Sequence, residues 1–152
     1  MAKYYLFMTL LMSLAACSGD KPYNEHANAK AVIEQAASEA KLQKKPMIII
    51  FGANWCPDCR AVSNAIENGK DATKIAKEFK IVKVNVGDFN KNIEVANSYG
   101  NPIAGGIPGA AILTFDHKLL YVTHPGELST AIRNSENGVY SLFRQHTASP
   151  VI

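Results

Sequence analysis

The feature that most constrains this chain is the apolar run MIIIFGA, residues 47–53, with the cysteine pair that follows it in WCPDC. The run is too short for a core helix and is bounded by Pro46 and the turn residue Asn54, so it predicts a buried β-strand. Cys56 and Cys59 follow within a few residues. The fold must therefore hold two thiols where a buried strand passes into the next element.

Hydrophobic periodicity in the remaining chain alternates between helical and strand spacing. The predicted helices cover residues 28–42, 60–69, 71–79, 91–100 and 139–146. The predicted strands cover residues 47–53, 81–86, 109–115 and 118–124, the last two as an antiparallel hairpin. This order predicts an α/β fold with a mixed central sheet flanked by helices on both faces.

Composition indicates one globular domain. With 47% hydrophobic and 19% charged residues in 152, the chain differs from disordered and fibrous proteins. Its net charge of +3 is small and its lysines and arginines are scattered, whereas a nucleic-acid interface usually shows a clustered basic face. Nucleic acid is therefore not expected as a partner.

The first residues have the pattern of a secretory signal. Lys3 precedes an apolar run over residues 4–16, which is shorter than the roughly 20 residues of a membrane-spanning helix. The ending Leu14-Ala15-Ala16-Cys17 resembles the lipobox of bacterial lipoproteins, in which the cysteine thiol is acylated and the cysteine becomes the new N-terminus after cleavage. The alternative is a plain signal peptide cut nearby.

This pattern predicts a division of the chain and a location. Residues 1–16 would be a lipoprotein signal peptide, residues 17–27 the lipidated Cys17 with a polar tether, and residues 28–152 the folded domain. Ser18, rather than aspartate, follows Cys17, which in the best-known lipoprotein sorting systems implies the outer membrane. We therefore expect a lipid-anchored protein on the periplasmic face of the bacterial cell envelope, with the outer membrane favoured over the inner.

A cysteine pair of this spacing has several uses besides redox exchange. Structural zinc requires four ligands, and the sequence has no second CxxC or HxxxH; no metal site is predicted. A structural disulfide stabilises more as its loop lengthens, and two intervening residues close almost no loop. Copper(I) suits a soft dithiol. A Cu(I)-handling protein and a non-catalytic binding module with a permanent disulfide remain alternatives.

Thiol-disulfide exchange fits the position better. Cysteines at a helix N-terminus lie near free backbone N–H groups and the positive end of the helix dipole, which stabilise a thiolate. Pro57 suits the first helical turn. We therefore predict Cys56 as the exposed attacking nucleophile and Cys59, one turn further on, as the resolving thiol. The dithiol itself carries two electrons, so no cofactor is required, and Trp55 is expected to shield one side of the motif.

These residues resemble the thioredoxin family from roughly residue 28 to residue 146. The resemblance rests on MIIIFGA leading into WCPDC, on the strand IVKVNV, on GIPGAAILTF at residues 106–115, and on the hairpin with its final helix. It implies that Ile107-Pro108 is the family's cis-proline loop beside the cysteines, where the Ile107 backbone pairs with an extended substrate segment. The implied partners are protein disulfide substrates and a periplasmic redox partner.

The chain departs from the family at the buried aspartate that thioredoxins carry in the strand before the motif. That aspartate is thought to take a proton from the second cysteine, and Ile50 occupies the matching position here. The family's partner lysine is matched by Lys83, for which an outward-pointing strand lysine is the alternative. The group that deprotonates Cys59 therefore stays open.

Asp58, between the two cysteines, bears on the direction of electron transfer. Its negative charge should disfavour the Cys56 thiolate and so destabilise the reduced form. Arg60 offsets part of that field. We therefore expect the reductase direction, with the oxidase direction as the alternative.

Overall fold

A four-stranded mixed sheet forms the centre of the protein in the computed structural model, which describes residues 21–148. Its strands are β1 (Met47–Gly52), β2 (Lys80–Asn85), β3 (Gly109–Leu113) and β4 (Leu119–Val122). They lie in the order β2-β1-β3-β4, with β1 parallel to β2 and antiparallel to β3, and β3 antiparallel to β4. This topology confirms the predicted mixed sheet.

Helices cover both faces of the sheet. They are α1 (Ala29–Gln43), α2 (Pro57–Asn68), α3 (Ala72–Glu78), α4 (Ile93–Ser98), α5 (Glu127–Asn134) and α6 (Gly138–Thr147). Side chains from α1 and α4 form one core with Met47, Ile49 and Phe51, while α2, α3, α5 and α6 form the other with Ile48 and Ile50. All of β1 is buried because its alternate residues face opposite cores.

The first helix shows how closely the sequence pattern sets an element boundary. The Asn28 side chain accepts a hydrogen bond from the Ala31 N–H at 3.1 Å, which caps the helix that begins at Ala29. Small and branched residues at helical spacing then face the sheet: Ala29, Ile33, Ala36 and Ala40. The predicted first residue of the helix, Asn28, is therefore its N-cap, one residue before the helix begins.

Helix α5 was absent from the sequence prediction. Leu128, Ala131 and Ile132 have helical spacing and pack towards the core, so the sequence does carry a helix signal here, which the prediction missed. Its start depends on contacts with β4, because the Glu127 carboxylate accepts hydrogen bonds from the His124 N–H and the Tyr121 hydroxyl. The pattern covers little more than one helical turn, which is short for a helix assignment from periodicity alone.

The segment ahead of α1 also differs from its prediction. Residues 17–27 were expected to be a polar tether, but Tyr23 is only 1% exposed and packs against the cysteine pair. A single aromatic residue in a polar stretch carries no periodicity, and for that reason the pattern placed the domain boundary too late. The packed body begins at or before Tyr23. Residues 1–16 and Cys17 lie outside the described residues.

Within residues 21–148, none of the helices is both long enough and apolar enough to cross a membrane.

Candidate active site

The cysteine pair lies where β1 turns into α2. Cys56 is the N-cap of α2 in an extended conformation, and Pro57 is the first helical residue, as the sequence predicts. The Cys56 sulfur accepts a hydrogen bond from the Cys59 N–H at 3.2 Å. This is the interaction by which a helix N-terminus favours a thiolate over a thiol.

Cys56 and Cys59 are joined by a disulfide, with their Cα atoms 5.2 Å apart. Cys59 is fully buried, and Cys56 is only 5% exposed. The prediction of an exposed nucleophile is therefore wrong: Tyr23 and Ile107 pack against the pair and leave little of Cys56 exposed. A substrate can reach only a narrow edge of the Cys56 sulfur.

The loop before β3 forms one wall of this edge. The Ile107-Pro108 peptide bond is cis, as the family resemblance implied. The Ile107 carbonyl oxygen lies 3.8 Å from the Cys56 sulfur. The main chain of Ile107 is therefore placed beside the atom that a substrate disulfide must approach.

Two exposed aromatic side chains form another wall. Trp55 is 53% exposed, and its indole Nε1 donates a hydrogen bond to the Gly87 carbonyl at 3.0 Å. Its ring meets that of Phe89, which is 45% exposed, edge to face at 6.3 Å between centroids. Trp55 thus packs on the loop after β2 and still presents apolar surface beside the motif. Phe89 was missed because a lone phenylalanine in a polar loop gives no pattern.

Beneath the disulfide lies Tyr23. The Asn54 side chain holds its backbone twice, accepting from the Tyr23 N–H at 2.9 Å and donating to the Tyr23 carbonyl at 2.8 Å. The phenol fills space left by Gly52, because a Cβ there would meet the Tyr23 hydroxyl and, at 3.0 Å, the Cys59 sulfur. Burial, and to a smaller extent the charge of Glu67, raises the pKa of Tyr23 above its ordinary value.

The Asp58 carboxylate has a partner that the sequence prediction did not include. Arg133, on α5, lies 3.3 Å from it in a solvent-exposed ion pair. Arg60 instead donates to the Asn54 carbonyl at 2.9 Å. The guanidinium that offsets the charge of Asp58 directly is thus Arg133, and missing α5 in the sequence meant missing this contact.

Lys83 contacts α2 on the sheet face that carries the cysteines. Its ammonium donates to the Ser63 hydroxyl at 2.8 Å and pairs with the Glu67 carboxylate. Ile50 is its neighbour across the β1–β2 pair and is buried. The lysine is therefore held by a serine and a glutamate one and two helical turns beyond Cys59.

Among residues 21–148, no group of three or more histidine, cysteine, aspartate or glutamate side chains is arranged to hold a metal ion. Trp55, Pro57, Asp58, Ile107 and Pro108 are all brought to the cysteine pair or to its immediate neighbours.

Comparisons with known proteins agree with this geometry. The family model described as Thioredoxin-like matches residues 28–114, more than half of the chain. A solved structure described as a disulphide isomerase from Xylella fastidiosa Temecula1 is 41% identical, with a TM-score of 0.79 over 86% of this chain and 99% of that one. Fasciola hepatica thioredoxin, 22% identical with a TM-score of 0.52 over 77% and 93% of the two chains, shares the fold.

A curated relative extends the comparison over a shorter stretch. Anterior gradient protein 2 from Xenopus tropicalis is 30% identical over 66 residues, which cover 43% of this chain and 40% of that protein. The matched region is thus less than half the length of that relative. Taken with the helix-capping cysteine, the cis-proline loop and the sheet order, these matches show that the chain belongs to the thioredoxin-like family, as a disulfide oxidoreductase with a Cys56–Cys59 pair.

Proposed function

We propose that this protein is a membrane-tethered, periplasmic thiol-disulfide oxidoreductase that reduces disulfides in protein substrates. The observation that carries the proposal is the position of Cys56, which caps α2 and lies 3.8 Å from the Ile107 carbonyl. A nucleophilic sulfur beside the main chain of a loop can receive an extended segment that carries a disulfide.

In the proposed cycle the Cys56 thiolate attacks one sulfur of a substrate disulfide. The substrate S–S bond breaks, its other sulfur leaves as a thiolate that takes a proton from water, and a mixed disulfide forms. The Cys59 thiolate then attacks the Cys56 sulfur and releases the second substrate thiolate. The substrate gains two electrons and the enzyme becomes the disulfide, which a periplasmic redox partner reduces again.

Asp58 supports the reductase direction. Its carboxylate lies in the first turn of α2, beside Cys56. There its negative charge partly cancels the positive potential of the helix N-terminus at the Cys56 sulfur, which disfavours the reduced, thiolate form. Arg133 offsets this effect in part, since both side chains of the pair are well exposed and the interaction is screened by solvent. The charges beside Cys56 therefore favour a reductant, with an oxidase as the alternative.

Disulfide isomerisation is a second candidate, favoured by the name of the 41% identical relative from Xylella fastidiosa. In an isomerase Cys56 attacks the substrate in the same way and forms the same mixed disulfide. Another thiol of the substrate then attacks that mixed disulfide and releases Cys56 before Cys59 reacts. A Cu(I)-handling protein with the same dithiol and a non-catalytic binding module remain the further alternatives.

The reduction potential of the Cys56–Cys59 pair tests the direction. It would be measured on residues 18–152 by equilibration against glutathione and dithiothreitol. A value near that of thioredoxin, about −270 mV, is expected, and a value near −120 mV would make the protein an oxidant. A value between these, near −180 mV, with refolding activity on scrambled ribonuclease would instead support the isomerase.

Tethering rests on the lipobox-like ending at Cys17 and the apolar run before it. We expect wild-type protein to fractionate with bacterial membranes, the outer membrane in preference to the inner, and Cys17→Ser to fractionate with the periplasm. A wild-type protein that is released by osmotic shock would contradict the anchor.

A further inference from the structure

Tyr23 carries a buried polar group with no partner in the oxidised protein. The side chain is 1% exposed, and its hydroxyl has no hydrogen-bond partner among the described residues. A buried hydroxyl without a partner is rare and costly. Its position therefore calls for an acceptor that exists in another state of the protein.

Cys59 is the group that can supply this acceptor. The Tyr23 hydroxyl oxygen and the Cys59 sulfur both lie within 3.0 Å of the point that a Cβ of Gly52 would occupy. A disulfide sulfur is a weak acceptor, whereas a thiolate is a strong, charged one. Reduction breaks the S–S bond and leaves the Cys59 sulfur free to rotate towards the hydroxyl across Gly52.

Other nearby groups are already engaged or apolar. Ile50 replaces the aspartate that the family resemblance places before the motif, and Lys83 is held by Ser63 and Glu67. Tyr23 packs in one buried cluster with the two cysteines and Ile107, which puts its phenol next to the sulfurs.

We propose that Tyr23 donates a hydrogen bond from its hydroxyl to the Cys59 thiolate and thereby assists the resolving step. In that step the Cys59 thiolate attacks the Cys56 sulfur, the bond from Cys56 to the substrate sulfur breaks, and the substrate leaves as a thiolate. The Cys59 proton has gone to water beforehand. Tyr23 keeps its own proton throughout and acts as a positioning residue.

The surrounding charges support a neutral phenol as the donor. Burial and the Glu67 carboxylate on α2 both raise the pKa of Tyr23, so the hydroxyl keeps its proton at neutral pH. Glu67 itself pairs with Lys83 on β2. On the N-terminal segment, Glu25 accepts from the Asn54 side chain and faces Lys21 at 3.9 Å. Asp58 on α2, which lies between the two cysteines in the sequence, pairs with Arg133 on α5.

The test is the pH dependence of the resolving step in Tyr23→Phe, which keeps the ring and removes the hydroxyl. Reduced protein is mixed with 5,5′-dithiobis(2-nitrobenzoic acid) in a stopped-flow instrument. The first thionitrobenzoate released reports attack by Cys56, and the second reports resolution by Cys59. Tyr99→Phe is the matched control, since its hydroxyl contacts His117 at 2.9 Å in the turn between β3 and β4.

Losing a hydrogen bond to a charged group disfavours the Cys59 thiolate, so the thiolate fraction at low pH should fall about tenfold. The greater nucleophilicity of the less stabilised thiolate recovers about threefold. We therefore expect the second release to be about threefold slower than wild type at low pH and about threefold faster at high pH. Tyr99→Phe should match wild type throughout.

A second release that is unchanged at every pH, or slowed by the same factor at every pH, would overturn the role of Tyr23. A thermal unfolding midpoint of Tyr23→Phe that is no lower than that of wild type would show that the fold is kept. The inference rests on the redox role of the cysteine pair, and failure of that role has its own signature. Wild-type protein would then fail to catalyse insulin reduction by dithiothreitol, whatever the rate of its second release.

Discussion

The two sulfurs of one disulfide lie in contrasting surroundings. Cys56 borders the Ile107 main chain and adjoins the exposed Trp55–Phe89 pair, all of which belong to loops. Cys59 is enclosed by α2, by the end of β1 at Gly52 and by the Tyr23 ring. The first environment is suited to recognising a partner, and the second to controlling a proton and a bond without solvent.

The largest effects should come from exchanging the cysteines themselves. Cys56→Ser removes the attacking sulfur and should lower disulfide reductase turnover on the order of a thousandfold or more. Cys59→Ser should instead accumulate a stable mixed disulfide between Cys56 and the substrate. Non-reducing electrophoresis and mass spectrometry distinguish the two. Trapping by Cys56→Ser and not by Cys59→Ser would reverse the assigned roles.

The packing around Cys59 can be weakened by substituting Asn54, which holds the Tyr23 backbone. Asn54→Ala removes two hydrogen bonds to the Tyr23 backbone, each contributing about 1 kcal/mol, so we expect a loss of about 2 kcal/mol in the free energy of unfolding. Chemical denaturation measures it. Asn68→Ala is the control, since its side chain bonds with Asn64 on the exposed face of α2 and with no other side chain of residues 21–148. A loss no larger than in that control would show that Asn54 does not hold the N-terminal segment.

The apolar surface beside Cys56 can be reduced by substituting Phe89. Phe89→Ala removes an apolar contact surface worth about 1 kcal/mol, so we expect kcat/KM for insulin reduction to fall about fivefold, with the reaction of a small aromatic disulfide nearly unchanged. Phe115→Ala is matched in exposure, 44% against 45%. It lies after β3, at the end of the sheet remote from Pro108. Equal losses for insulin in both variants would contradict a docking role for Phe89.

The smallest effect concerns the charge beside Cys56. Arg133→Ala leaves Asp58 without its exposed partner, so the Cys56 thiolate is disfavoured more strongly and the reduction potential should fall by about 10 mV. Asp58→Asn should move it in the opposite direction. Arg144→Ala, which breaks the exposed pair with Glu78, is the control. A potential that rises in Arg133→Ala would contradict our assignment of the sign.

The sequence predicted what local patterns determine. Six consecutive buried residues in β1 and a proline directly after Cys56 were enough to place both cysteines at a helix N-terminus. The cis bond at Pro108 followed from family resemblance, since no local pattern specifies a proline isomer. Those features fixed the chemistry of the site.

Features that depend on distant contacts were not predicted. Tyr23 is held by Asn54, 31 residues further along the chain, and no periodicity marks either residue. Arg133 reaches Asp58 across 75 residues from a helix with few buried side chains. Exposed aromatics such as Phe89 acquire meaning only when the fold brings them beside a reactive atom. Sequence patterns therefore identified the two reactive cysteines, whereas the side chains around them became evident only from the tertiary structure.

The absence of a side chain at Gly52 links two parts of the chain that have no local relationship. A methyl group there would overlap the phenol of Tyr23, so an alanine at position 52 would force the tyrosine ring out of its present place. Across an alignment of relatives, the two positions should change together, a larger residue at one accompanying a smaller residue at the other. A chain that gains a side chain at position 52 must find another neighbour for its second sulfur.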